Sequence, residues 1–133
     1  MIALLVFVGC DENIRTHYES SEQATSDHAF QRGWLPDVLQ NGATNISEYH
    51  DLDSNSVGAS FDYPSPIVEE LERNCSKVSP TRAVESPSSL WHAIVTKQPT
   101  SAELLTRGVR AYQCAAFFIE LDTKRNSGLF LAL

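Results

Sequence analysis

Apolar positions after residue 20 recur at helical spacing in some segments and alternate with polar positions in others. Ser20 and Gln23 form a capping box, which predicts a helix over 21–32. Ser65 and Pro66 predict the start of a second helix, because serine is a preferred cap and proline suits the first helical turn. The apolar stripe of this second helix consists of Ile67, Val68, Leu71 and Cys75.

Strand-like segments, rich in β-branched and aromatic residues, are separated by turn residues. We expect Ile46 and Phe61 to point inward from two of these strands. The mixture of short helices and strands predicts an α+β fold, in which a small antiparallel sheet is flanked by short helices. The predicted strands cover 43–50, 59–63, 109–121 and 129–133.

The chain changes abruptly at Cys10, where an apolar run gives way to a polar segment. The run over 2–9 is too short to span a bilayer as a helix. It resembles the signal segment of a bacterial lipoprotein, in which lipid is attached to the cysteine that ends the run. We therefore expect a signal segment over 1–9, lipidation at Cys10, a tether over 10–20 and a single α+β domain over 21–133.

Two features of this leader depart from the usual lipoprotein pattern. No Lys or Arg precedes the apolar run, and Phe7 stands where leucine is preferred. These departures indicate a mis-assigned start or a trimmed leader. The alternative is a cytosolic domain whose first core strand is residues 2–8, since this segment has strand composition. Asp11 follows the cysteine, and in lipoproteins of enteric-type bacteria an Asp there tends to retain the protein in the inner membrane.

The chain is acidic, with 17 Asp and Glu against 10 Lys and Arg and a formal net charge of −7. An acidic surface repels phosphate backbones, so we expect no nucleic-acid partner. It also repels anionic lipid headgroups, so membrane attachment would depend on the lipid anchor. No motif predicts a cofactor, and we expect none.

The three cysteines divide into one lipidation candidate and one pair. If Cys10 carries lipid, Cys75 and Cys114 remain, and an exported domain meets an oxidising compartment in which such a pair can form a disulfide. The alternative is two buried free thiols, which behave as small apolar residues. Both interpretations stay open at the level of sequence.

The segment from Arg32 to Phe61 contains several ordered blocks: Arg-Gly-Trp-Leu-Pro, Ala-Thr-Asn-Ile, His-Asp-Leu-Asp-Ser-Asn, and then a Gly and a Phe. This order resembles the YbbD head domain, a block found in uncharacterised bacterial proteins, many of them small predicted lipoproteins. Ser54 departs from the usual Thr, and Asn41-Gly42 departs from the Pro-Ser type of pair expected there. The resemblance implies no activity.

Residues 50–55, His-Asp-Leu-Asp-Ser-Asn, form the densest cluster of candidate ligands. Asp51, Asp53 and Asn55 follow the 1, 3, 5 spacing of a calcium loop, which makes them weak metal candidates. Ser56 stands where that loop needs glycine, so an Asx-rich turn is the simpler interpretation. Trp34 is either a ligand-stacking aromatic or a core anchor.

The leading functional hypothesis is a non-catalytic binding or interaction module on a cell-envelope lipoprotein. Its candidate surface combines Trp34 with His50, Asp51, Asp53 and Asn55. Its partners would be the membrane, through the lipid, and an unidentified envelope protein. No catalytic residue is assigned. The alternative is a small hydrolytic or metal-dependent enzyme that uses the same His and Asp cluster.

Overall fold

A computed structural model describes residues 13–52, 56–80 and 101–132. Within this part of the chain, seven strands form one antiparallel sheet in the order β1-β2-β3-β7-β6-β5-β4. The strands are β1 (Asn13–Ser20), β2 (Thr44–Asp51), β3 (Ser56–Asp62), β4 (Ser76–Val78), β5 (Val109–Gln113), β6 (Phe117–Asp122) and β7 (Ser127–Ala132). The helices are α1 (Ser21–Ser26), a 3₁₀ turn (Asp37–Gln40), α2 (Ser65–Asn74) and α3 (Ser101–Thr106). The α+β fold and the antiparallel sheet are therefore as predicted, whereas the leader over 1–9 lies outside the described residues.

The main core lies between one face of the sheet and the layer formed by α1, the 3₁₀ turn and α2. Within this core α1 contributes the small Ala24, and the larger fully buried members include Leu39, Ile46, Ile67, Leu71, Tyr112 and Ile119. The opposite face carries a second buried group, which includes Leu104 of α3 and Val109 and Leu129 of the sheet. The sheet thus buries apolar side chains on both faces, and this removal from water is the main favourable term in its folding.

The capping box at the start of α1 is confirmed. The Gln23 amide N–H donates to Ser20 Oγ at 3.2 Å, and Gln23 Oε1 accepts from the Glu19 N–H at 2.6 Å. The predicted extension of this helix to residue 32 is wrong, since α1 ends at Ser26. In a longer helix, His28 would lie one turn after the buried Ala24 and on the same face. His28 is instead exposed and has a left-handed backbone with φ of 61°, which a helix does not accommodate.

The predictions for β2, β3 and α2 agree with the structure in their main features. Ile46 and Phe61 point into the core, with 0% and 2% exposure. The second helix begins at Ser65, as the Ser-Pro pair indicated. Its cap differs, because Pro64 occupies the capping position and supplies no side-chain hydrogen bond.

Two segments differ from their predicted structure. A polar tether was expected over 10–20, but from Asn13 onward this segment is the edge strand β1. Its backbone hydrogen bonds are satisfied by pairing with β2, which does not depend on apolar side chains. The long strand expected over 109–121 is a hairpin of β5 and β6, in which the Cys114 N–H donates to the Phe117 carbonyl at 2.9 Å. No Gly, Asn or Pro marks this turn, so the usual sequence signals for a hairpin are missing.

The structure joins Cys75 and Cys114 in a disulfide, with an Sγ–Sγ distance of 2.00 Å and a Cα–Cα distance of 4.7 Å. The pairing of β4 with β5 sets Ser76 opposite Gln113, which brings the two cysteines next to each other at the end of this ladder. The bond ties the end of α2 to the β5–β6 turn across a sequence separation of 39 residues. Of the two interpretations of this pair, the structure has the bridge.

Candidate functional site

Two ionisable side chains point into the core from β2, the strand next to the β1 edge of the sheet. Ile46, Glu48 and His50 alternate along β2, so they share one face of the strand, and Ile46 on that face is completely buried. Glu48 is 1% exposed and His50 is 3% exposed. Charged side chains are rarely buried to this extent without a partner, so the pair is an unusual feature of this core.

Glu48 and His50 are each other's partner. The distance from His50 Nδ1 to Glu48 Oε1 is 2.5 Å, so the two side chains form a short hydrogen bond. Burial raises the pKa of the Glu48 carboxyl, because removal from water disfavours its charged form, while the hydrogen bond and the charge of His50 act in the opposite direction.

The remaining polar atoms of this pair find no hydrogen-bond partner within the described part of the chain. Glu48 Oε2 and His50 Nε2 are both buried, and neither bonds to another described group. Glu48 Oε2 is an acceptor, and His50 Nε2 is a donor or an acceptor according to the protonation of the ring. Buried polar atoms of this kind lose their hydration without compensation, so the stability of the pair depends strongly on what surrounds it.

Trp34 covers the buried histidine. Its indole ring stacks on the His50 imidazole, with ring centroids 4.4 Å apart and an interplanar angle of 25°. Gly33, with φ of 75°, lets the chain reverse just before the tryptophan, and the Trp34 N–H donates to the Ala29 carbonyl at 3.1 Å. The exposed Arg32 places its guanidinium carbon 4.8 Å from the centre of the indole. A surface cation, an aromatic ring and a buried imidazole are thus in contact.

Tyr18 carries a second buried polar contact close to this pair. Its hydroxyl donates to Asp27 Oδ2 at 2.6 Å. Burial raises the pKa of Tyr18, and the hydrogen bond to Asp27 and the negative charges of Asp27 and Glu48 raise it further, so the phenol stays neutral and remains a donor. The hydrogen bond fixes the turn after α1 to β1 and thereby supports the approach of the chain to Trp34.

The structure brings together only part of the predicted binding surface. Trp34 and His50 are in contact, but Trp34 is half-buried and packs against the core, as the core-anchor interpretation proposed. Asp51 follows His50 in the strand, so its side chain leaves the opposite face of the sheet. Asp53 and Asn55 lie outside the described residues.

Two members of the predicted enzyme cluster, His50 and Asp51, lie in the described residues, whereas Asp53 does not. His50 and Asp51 do not converge on a common point, and Trp34 closes one side of the imidazole. Within residues 13–52, 56–80 and 101–132, no group of three or more His, Cys, Asp or Glu side chains is placed to hold a metal ion.

Sequence reasoning missed Glu48 and Arg32 as members of this site. Glu48 was detectable from its spacing, because it lies two residues from His50 and two from the inward-pointing Ile46. A strand with that periodicity must place the carboxylate and the imidazole side by side on the buried face. Arg32 gave no comparable signal, since its contact with Trp34 depends on the turn at Gly33.

None of the helices in the described ranges has the length and apolar character needed to cross a membrane. This finding concerns residues 13–52, 56–80 and 101–132.

Residues 12–62 match the family model of the YbbD head domain. No curated protein and no solved structure matches the chain. The match extends beyond the sequence blocks at 32–61 and takes in β1, α1, β2 and β3, together with the Glu48–His50 pair and Trp34. It points to an envelope-associated family and carries no specific activity. The chain is thus similar to the YbbD head domain over residues 12–62.

Proposed function

We propose that this protein is a lipid-anchored cell-envelope protein of bacteria and that its head domain is a non-catalytic binding module. The anchor is attached to Cys10 after removal of residues 1–9, and the domain faces the periplasm or the cell exterior. Asp11 favours retention in the inner membrane where the host follows the enteric sorting pattern. The partners are the membrane, through the lipid, and a second envelope protein.

The Cys75–Cys114 disulfide is the observation that carries this proposal. Structural disulfides persist in exported proteins and are rare in the reducing cytosol of most organisms. Of the three cysteines in the chain, the bridge uses two, so Cys10 is the one left with a thiol for lipid. The match to the YbbD head domain supports the same address.

Membrane fractionation of the full-length protein in a bacterial host tests the anchor. We expect the wild type in the membrane pellet and Cys10→Ser in the soluble fraction or as an unprocessed precursor. Cys75→Ser/Cys114→Ser is the control for the loss of cysteine, since it removes the bridge but leaves the lipidation site intact, and it should remain in the pellet. A Cys10→Ser protein that fractionates like the wild type and has the same first residue would overturn the proposal.

The surface that we propose for the envelope partner is the corner formed by Arg32, Trp34 and Leu52. Arg32 and Leu52 are exposed, and Leu52 is 60% exposed although it is a large apolar side chain. Leu52 follows directly after β2, two residues beyond the His50 that contacts Trp34. Arginine and tryptophan are enriched in the energetically dominant positions of protein interfaces.

Substitutions at this corner separate binding from folding. Arg32→Glu and Leu52→Asp change exposed side chains, so we expect melting temperatures close to that of the wild type. In cells, we expect these variants to lose the cross-link to an envelope protein that the wild type forms. Leu105→Asp is the matched control, because Leu105 is also exposed, at 56%, but lies on α3. Equal cross-linking by all three variants would exclude this corner as the binding surface.

A further inference from the structure

The two ends of the sheet differ in how they are protected. At one end, β4 is three residues long and is tied down by the adjacent disulfide. At the other end, β1 is eight residues long, and within the described part of the chain it pairs with β2 alone. It contains no proline or lysine, the residues that commonly block edge-to-edge pairing. β1 is therefore a long edge suited to receive another strand.

The direction of the backbone groups follows from bonds that continue the neighbouring ladders. The Cys114 N–H donates to the Phe117 carbonyl at 2.9 Å and the Tyr63 N–H donates to the Asn126 carbonyl at 3.0 Å, in the registers of β5–β6 and β3–β7. Neighbouring residues of a strand point their backbone groups to opposite sides, so these bonds, carried across the sheet, set the even-numbered residues of β1 toward β2. The N–H and C=O groups of Arg15 and His17 consequently point outward, and the outward Glu19 N–H donates to the Gln23 side chain.

The charges of this edge complement one another about its centre. Arg15 and Glu19 are exposed, lie on the same face of β1 and flank the exposed His17. The guanidinium of Arg15 lies over the Tyr49 ring of the neighbouring strand, at 5.6 Å from the ring centre. An antiparallel copy of β1 centred on His17 would set Arg15 opposite Glu19 twice, once on each side of the centre.

We propose that β1 is a dimerisation edge, at which two copies of this chain pair antiparallel about a two-fold axis through His17 and form one continuous sheet. His17 of one copy exchanges backbone hydrogen bonds with His17 of the other, and the Arg15 N–H donates to the Glu19 carbonyl of the other copy. The side chains of Arg15 and Glu19 then lie directly opposite each other across the new pair of strands.

Other registers lack this complementarity. A two-fold axis perpendicular to the sheet keeps each face of the sheet on one side, so a residue can pair only with a residue of its own face. Centring the pair on Thr16 sets Arg15 opposite His17, and centring it on Tyr18 sets His17 opposite Glu19. Only the register centred on His17 pairs Arg15 with Glu19, so charge selects that register.

Sedimentation velocity of the full-length chain over a concentration series tests the proposal. Every variant carries Cys10→Ser, so that lipid makes no contribution to self-association. We expect a monomer–dimer equilibrium that Arg15→Glu weakens by about tenfold or more, because both cross-strand pairs become repulsive. The double variant Arg15→Glu/Glu19→Arg restores each pair with its charges exchanged, and we expect it to dimerise like the parent chain.

Arg73→Glu is the matched control, since it makes the same charge change on the exposed surface of α2 and should leave the dimer unaffected. His17→Pro removes an outward-pointing N–H without taking a bond from the β1–β2 ladder, so it should abolish dimerisation while the monomer stays folded. A chain that is monomeric at all concentrations would overturn the proposal. So would a dimer that survives His17→Pro in a folded protein, or a double variant that fails to recover the association lost in Arg15→Glu.

Discussion

Replacing His50 by leucine should show how much free energy of unfolding is lost when the buried Glu48 carboxylate has no partner. The substitution removes the hydrogen-bond partner of Glu48, whose carboxyl is 1% exposed and has no second partner among the described residues. Breaking a buried pair from one side typically costs about 3–5 kcal/mol, because the remaining charge stays buried without compensation. We therefore expect His50→Leu to lower the free energy of unfolding by roughly that amount at neutral pH.

The double variant Glu48→Met/His50→Leu provides the comparison. It removes both polar side chains and leaves apolar groups of similar size, a replacement that is often neutral or stabilising. Urea denaturation of the four members of this double-mutant cycle measures the coupling between the two sites. We expect the double variant to be more stable than His50→Leu by about 2 kcal/mol or more.

The pH dependence of these variants follows from the direction of the Glu48 pKa shift. Burial raises the pKa of this carboxyl, so the folded protein binds its proton more tightly than the unfolded chain does. The stability of His50→Leu should accordingly be highest below the ordinary pKa of glutamate and fall as pH rises through the raised pKa of Glu48. This loss of stability with rising pH should be larger than in the wild type, because there His50 opposes the rise in the Glu48 pKa. It should be absent in the double variant, which lacks the carboxyl. A single variant as stable as the double variant at neutral pH would refute this account of the pair.

Three further changes test the fold. Cys75→Ala/Cys114→Ala opens a loop of sequence separation 39, and the chain-entropy relation predicts a loss of about 4 kcal/mol in the free energy of unfolding, measured in urea. Gly128→Ala would place a Cβ atom 2.5 Å from the buried Phe61 ring, so we expect a lower melting temperature and about 1–3 kcal/mol of destabilisation from overpacking; an unchanged melting temperature would contradict this packing. Ser20→Ala removes the α1 cap and should cost about 1 kcal/mol by the same urea assay, whereas Ser20→Asn should retain most of the stability.

The parts of the fold that sequence predicted correctly are those determined by local patterns. The Ser20–Gln23 capping box and the Ser-Pro start of α2 act within a few residues, and the inward positions of Ile46 and Phe61 follow from alternation along a strand. Each of these signals is readable without knowledge of what packs against the segment.

The missed parts depend on contacts that are distant in sequence. β1 reads as a polar tether because its side chains are mostly polar, and only pairing with β2 makes it a strand. The β5–β6 turn has two alanines at its tip and carries no turn residue. The Glu48–His50 pair required both the strand assignment of β2 and the correct choice of its buried face, and the Arg32 contact required the turn at Gly33.

The most direct test of the central proposal is the intact mass of the full-length protein purified from the membranes of a bacterial host, with and without reduction and alkylation. The account predicts a chain that begins at Cys10, carries a diacylglyceryl or triacyl increment, and takes up alkyl groups at two cysteines only after reduction. An unmodified chain that still begins at Met1, or two cysteines that are alkylated without reduction, would contradict it.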